Sequence, residues 1–364
     1  MIEAVELRRV ALPLVTPFRT SYGTETFRDA LLVRVVTDAA EGWGECVART
    51  DPLYSAEFVD AAALVVRDHL LPRLWDVSAP EDVAGAFRAV KGHPMAKAAV
   101  ELAVLDAWLR AEGVALAAYL GGVRAQIDVG VSVGITGSLD ALLAQVDGYV
   151  ADGYRRVKLK IEPGWDVAPV GAVRERYPDL ALQVDANGAY GLEDAETLAA
   201  LDPFALLLIE QPLPEDDLRG HAALAAKLST PICLDESITS VASAIAAIEM
   251  GACAIVNIKP GRIGGYLEAK AVHDACVARS IPVWCGGMLE TGIGRAANVA
   301  LASLPGFTLP ADLSASDRYF HTDITEPFVL EDGRLRVPTG PGIGVTPVQD
   351  VLDRLTTSAE LHRR

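Results

Sequence analysis

The chain has 364 residues, 51% of them hydrophobic, with a formal net charge of −17. That is enough apolar material for one large core and a smaller one. The acidic balance excludes nucleic acid or an anionic membrane surface as a partner, because a phosphate surface would repel the chain.

Residues 1–125 read as an α+β unit. "IEAVELRRVAL" and "ALLVRVVTDAAEGWGEC" have strand periodicity, the second turning back near Glu41-Gly42. Helical periodicity follows in "AEFVDAAALVVRDHLLPRL" and "MAKAAVELAVLDAWLRAEG", with Gly113 as the stop. From residue 126 to 322, short apolar runs alternate with alanine-rich helical stretches. The runs are "DVGVSVGI", "YRRVKLKI", "LALQVDAN", "FALLLIEQP", "TPICLDES", "CAIVNIKPG", "IPVWCGG" and "GFTLPADLS", which predict eight parallel strands closing into a barrel. Residues 323–364 include "FVLEDGRLRVP", with an Asp-Gly hairpin signal, and are expected to return to the first unit. No apolar run approaches the roughly 20 residues of a membrane span. The strand-like N-terminus lacks the pattern of a signal peptide. The five cysteines, Cys46, Cys233, Cys253, Cys276 and Cys285, never form C-x-x-C and read as packed, reduced thiols of a cytoplasmic protein.

The polar residues near the C-terminal ends of the middle strands are Lys160, Asp185, Glu210, Asp235 and Lys259, and successive differences are 25, 25, 25 and 24. That is one strand-helix repeat, so the spacing predicts five side chains at one height around the barrel. Their neighbours Leu159, Ile161, Val184, Ile209, Leu234 and Ile258 are apolar. By alternation the charged residues face the axis, at the end where barrels of this kind carry their active sites. A single Asp or Glu there often caps the next helix, and a single lysine often serves as an ion-pair partner. Three carboxylates buried together are costly without compensation. A hard divalent cation, Mg²⁺ or Mn²⁺, provides it, and the absence of Cys or His from the ring disfavours zinc or copper.

Lys160 and Lys259 flank this acidic arc, and Lys158 shares a face with Lys160. A second ammonium beside Lys160, together with a metal, is expected to make its neutral, basic form accessible. A base on each side of a metal-bound substrate suits removal of a proton from the carbon next to a carboxylate. A general base contributes typically 10² to 10⁴ in rate, so stabilisation of the resulting enediolate must supply the rest.

"KLK", "VDAN", "IEQP", "CLDES" and "NIKPGRIGG", in this order, resemble the muconate-lactonising branch of the enolase superfamily, whose sites combine a Lys or His base with Mg²⁺. The longer stretches "PFRTSYGTE", "GWGECVARTDPLYS", "WCGGMLETGIGRAANVALASLP" and "SASDRYFHTDITEPFVL" are similar to the o-succinylbenzoate synthase / N-succinylamino acid racemase family, over essentially the whole chain. The resemblance implies a modified (β/α)8 TIM-type barrel with an N-terminal α+β capping domain. It implies Mg²⁺ on Asp185, Glu210 and Asp235, with Lys160 and Lys259 as the acid/base pair. In racemisation one lysine removes the α-proton and the other returns one on the opposite face. In syn dehydration Lys160 does both proton transfers while Lys259 stays charged. The cap of such proteins helps to choose the substrate, a role that falls by position to loops holding Phe18, Arg19, Tyr22 and Tyr54. Ser132, Asn187 and Met288 sit at other strand ends and, with Lys158, are candidate substrate contacts; Asn187 and Glu236 are alternatively supports hydrogen-bonded to the metal ligands.

Within the same branch, a muconate cycloisomerase or dipeptide epimerase is an alternative. The epimerases' Asp-x-Asp is replaced here by Ala311-Asp312-Leu313, and "IPVWCGG" lacks the histidine of the mandelate-type branch. The Gly-rich "KPGRIGG" supports a phosphate site only weakly. An inactive binding barrel would be expected to have lost one of the five ring residues, and all are present. The expectation is therefore a homo-oligomer acting on a small-molecule carboxylate.

Overall fold

A computed structural model describes residues 1–364. Strands β1 (Ile2–Thr20), β2 (Gly23–Thr37) and β3 (Glu41–Cys46) pair antiparallel, and the last strand of the chain, Thr356–Arg363, joins the outer side of β1. The turn between β2 and β3 falls at residues 38–40, just before the expected Glu41-Gly42, with Thr37 N donating to Ala40 O at 2.9 Å. The Pro94–Glu112 helix lies across this sheet. Gly113 ends it as expected, in the left-handed conformation (φ 71°) that glycine adopts without penalty. β3 approaches the helix so closely that a Cβ on Gly44 would meet Ala99 O at 1.9 Å, which is why this strand carries glycine where a β-former is otherwise favoured.

The barrel follows. After β4 (Gln126–Asp128) come seven parallel staves, β5 (Val131–Val133), β6 (Arg156–Lys160), β7 (Ala181–Asp185), β8 (Ile209–Glu210), β9 (Ile232–Leu234), β10 (Ile255–Ile258) and β11 (Val283–Cys285). The eighth predicted strand, "GFTLPADLS", is not a regular strand. It closes the gap between β11 and the start of the barrel through Thr308 N to Val283 O (3.1 Å), Ala311 N to Asp128 O (2.9 Å) and Asp312 N to Cys285 O (2.8 Å). Pro310 within it has no N–H to give to a ladder, so the segment makes single bridges instead. The Asp332-Gly333 turn is present, but its second strand, β12 (Arg334–Arg336), pairs with β4 beside the barrel; Thr356–Arg363 is what returns to the first sheet.

Interior and exterior residues alternate as expected. Leu159, Ile161, Val184, Ile209, Leu234 and Ile258 belong to the large core shared with the helices, while Leu208, Cys233, Ile255 and Trp284 form a separate small plug. All five cysteines are free and buried, and no helix is long and apolar enough to cross a membrane.

Two buried carboxylates join cap to barrel. Glu45 of β3 accepts from Thr291 N (3.0 Å), Thr291 Oγ1 (2.6 Å) and Gly294 N (3.0 Å) at the start of the Gly292–Ala302 helix. Glu101 accepts from Tyr266 N and from Leu267 N (3.2 Å) at the start of the Tyr266–Val277 helix. Burial pushes both carboxyls up to about 7, against the lowering effect of these donors. A carboxyl whose pKa is higher folded than unfolded binds more protons in the folded state between the two values. Its contribution is therefore complete below the unfolded pKa of about 4.3 and is lost as pH rises to about 7. Glu101→Gln keeps an acceptor oxygen without the charge. Its melting temperature should fall less between pH 5 and pH 8 than that of the wild type; an equal fall would contradict this assignment.

Candidate active site

Lys160, Asp185 and Glu210 are direct neighbours in register on β6, β7 and β8. The even height then breaks. Glu210 is level with Cys233 and Leu234 with Val256, so Asp235 lies two residues beyond the level of Glu210 and Lys259 two beyond that of Asp235, four in all. A closed barrel requires such stagger, and a two-residue step keeps every side chain facing the axis. The five expected residues do share one buried site.

Within it, each lysine holds one end of the acidic arc. Lys160 Nζ donates to Asp185 Oδ2 at 2.6 Å and Lys259 Nζ to Asp235 Oδ2 at 2.7 Å, with Glu210 on the strand between. Lys158 Nζ lies deeper, within 2.9 Å of Glu210 Oε2, 2.9 Å of Asp312 Oδ2 and 3.2 Å of Asp185 Oδ2. Burial alone would lower the Lys158 pKa, but these three carboxylates raise it well above the ordinary ammonium value. Its charge is thus largely answered by its own partners, which weakens the expectation that it tunes Lys160. Burial likewise opposes the charge on Lys259, and Asp235 and Tyr54 outweigh it, leaving its pKa well above normal.

The acids respond in opposite directions. Despite burial, Lys160 and Lys158 hold Asp185 below the usual carboxylate range, and Arg262 with Lys259 does the same for Asp235. Glu210 is pushed up to about 7, first by burial and then by Asp185. Glu236, buried and facing Asp235 and Asp185, is pushed up to about 8. Its Oε2 has no hydrogen-bond partner. As the side chains stand, no three acidic, His or Cys groups are gathered closely enough to hold a metal ion, because lysine and arginine nitrogens take the carboxylate oxygens. The donor set nevertheless fits a hard dication. It offers oxygen ligands on three adjacent staves and a fourth carboxylate with an unpartnered buried oxygen.

The remaining expected residues divide. Asn187, at a positive φ of 46°, accepts from Lys160 Nζ (2.7 Å), donates through Nδ2 to Glu236 Oε1 (2.9 Å) and donates its backbone N–H to Asp185 Oδ1 (3.0 Å). Tyr54 reaches down from the cap to within 3.4 Å of both Lys259 Nζ and Asp235 Oδ2, with Tyr22 packed 6.2 Å away. Ser132 donates to Asp312 (3.2 Å), below the ring. Met288 is buried in the cap's core cluster. Arg19 is half exposed and pairs with Glu162 at 3.0 Å, while Phe18 is buried edge-on against Tyr319. The hairpin bearing Phe18, Arg19 and Tyr22 is pinned to the first stave by Ile135 N to Arg19 O (3.0 Å). Gly134 permits that approach, since a Cβ there would lie 2.8 Å from Arg19 O.

Four site residues escape sequence reasoning. Arg262 ion-pairs with Asp235 and donates to Tyr54 Oη (3.3 Å), Asn257 Nδ2 donates to Glu210 Oε1 (2.7 Å), and Gln211 Oε1 accepts from Asp235 N (3.0 Å). Asp312 joins Lys158 to Arg156. Asn257 alone carried a usable signal, lying two residues before Lys259 on the same face.

Comparison with known proteins agrees with this geometry. Residues 2–121 match the mandelate racemase / muconate lactonizing enzyme N-terminal domain, and residues 141–351 match the enolase C-terminal domain-like family. The chain belongs to the enolase superfamily. Within that superfamily it is 61% identical over 363 residues to the N-succinylamino acid racemase of an Amycolatopsis species, covering 98% of each chain. It is 47% identical to the o-succinylbenzoate synthase of Geobacillus kaustophilus, over 100% of this chain and 98% of the other. The crystal structure of an enolase-superfamily member from Listeria innocua superposes with a TM-score of 0.96 at 43% identity, covering 100% of this chain and 99% of that one. The fold is therefore the modified TIM barrel with a capping domain of this superfamily.

Proposed function

We propose that the protein removes the proton α to a carboxylate, racemising N-acyl amino acids, N-succinyl derivatives among them, and carrying out the syn dehydration that forms o-succinylbenzoate. One observation carries the reading: the two lysines approach from opposite ends of a buried acidic arc, Lys160 on Asp185 and Lys259 on Asp235. A substrate carboxylate held over Glu210 would place its α-carbon between the two amines. In racemisation the neutral amine of one lysine takes the α-proton, and the ammonium of the other delivers a proton to the opposite face. In dehydration Lys160 takes the proton and returns it to the departing hydroxide as water, while Lys259, held charged beside Asp235, faces the negative charge that builds on the substrate. Asp185, Glu210 and Asp235 would hold a divalent cation, Mg²⁺ or Mn²⁺, which when bound supplies positive charge to the substrate carboxylate as its α-proton is removed. Asn187 steadies Lys160, Glu236 supports Asn187, and Tyr54 closes the site over Lys259. Lys158 and Ser132 lie beneath the acidic arc, Arg19 stands at the rim beside Glu162, and Met288 backs the site from within the cap's core.

The test is a side-by-side assay with N-succinyl and N-acetyl amino acids and with the cyclohexadiene precursor of o-succinylbenzoate. Turnover of an N-acyl amino acid with inversion, together with dehydration of the precursor, is expected. Failure on all three, with turnover of a dipeptide or a muconate instead, would replace the reading by another activity of the same branch.

A further inference from the structure

The position of Lys158 poses a problem for the cation site just proposed. Its ammonium sits on two of the three carboxylates that would hold the ion, 2.9 Å from Glu210 and 3.2 Å from Asp185. A cation binding to those oxygens displaces it, and a lysine this deeply buried has no route to water; its side chain is 3% exposed. A buried ammonium left without an acceptor is strongly unfavourable. One acceptor remains. Asp312 Oδ2, on the irregular eighth segment, lies 2.9 Å from Lys158 Nζ. Asp312 is itself fixed by Arg156 Nη1 at 3.0 Å, by Ser132 Oγ at 3.2 Å and by its backbone N–H on Cys285 O at 2.8 Å. The Trp284 ring adds a second favourable surface, its centroid 5.0 Å from the same nitrogen.

We propose that Asp312 is a positioning residue that takes over Lys158 when a divalent cation occupies Asp185 and Glu210, and so sets the affinity of the site for that cation. The proposal rests on the cation reading above. An ammonium has three protons, so the Asp312 contact persists while the Glu210 and Asp185 contacts are given up. Without the Asp312 carboxylate, Lys158 has only the metal ligands to turn to and competes with the ion for them.

The experiment is calorimetric titration of chelator-stripped protein with MgCl₂, and in parallel with MnCl₂, on wild type, Asp312→Asn, Lys158→Met and the double variant. Asp312→Asn should bind the cation at least about tenfold more weakly, within the range seen for groups that support metal ligands. The double variant should recover wild-type affinity or better, because the competing ammonium is gone; a merely structural defect at Asp312 would not be rescued this way. Lys158→Met alone should bind more tightly than wild type, which decides the matter if Asp312→Asn does not fold. Equal affinity in wild type and Asp312→Asn, no rescue in the double variant, or weaker binding by Lys158→Met would each overturn the proposal. Absence of cation uptake by the wild type would instead remove the underlying reading, and the proposal with it.

Discussion

Lys160→Ala and Lys259→Ala should each lower racemisation by on the order of 10³-fold, the middle of the range for loss of a general base. Both variants should still fold, since each removes one ammonium from a site rich in cations. The carboxylate left behind keeps a partner in each case: Asp185 retains Lys158, and Asp235 retains Arg262. The two losses should differ for dehydration. That reaction needs proton transfer only from Lys160, so Lys160→Ala should abolish it. Lys259 contributes charge, so Lys259→Arg should retain more dehydration than racemisation. Parallel measurement of both reactions in the three variants checks this. Equal residual rates in Lys160→Ala and Lys259→Arg for dehydration would contradict the division of labour.

The second large effect concerns the acidic arc. Treatment with a chelator should abolish both reactions, and Mg²⁺ or Mn²⁺ should restore them. Glu210→Gln should not be restored at ordinary metal concentrations. Glu210 is the central member, meeting Lys158 on one side and Asn257 on the other. Its replacement removes a charge while preserving nearly the same shape, so the loss reports charge and not packing. Loss of a ligand or its support costs 10- to 100-fold or more in metal affinity or activity. Undiminished turnover in excess chelator would remove the metal from the account.

The ring was legible because one strand-helix unit occupies about the same length each time, and the polar residue ending each strand stands out among Val, Ile and Leu. The near-constant spacing from Lys160 to Lys259 carries facing, since any even stagger leaves facing unchanged, but it does not carry height. That is why Asp235 lies two residues, and Lys259 four, further along than expected. What could not be read is who meets whom across the barrel. Lys158 looked like a free charge because its partner Asp312 is 154 residues away (312 − 158) on a segment whose pairing Pro310 interrupts. Arg262 lay hidden in a stretch read for its glycines. Tyr54 on a cap loop and Met288 on the loop after β11 look alike as large residues on loops, yet Tyr54 reaches Lys259 and Met288 packs into the cap's core. Loop side chains follow tertiary contacts that carry no periodicity.

Two amines that address one α-carbon from opposite faces leave a signature in the exchange of the α-proton. Each single-lysine variant is incubated in D₂O with each enantiomer of an N-succinyl amino acid, and α-deuterium is followed by NMR. Lys259→Ala should exchange one enantiomer without inverting it, and Lys160→Ala should exchange only the other. Exchange of both enantiomers by either variant, or of the same enantiomer by both, would contradict the opposed arrangement.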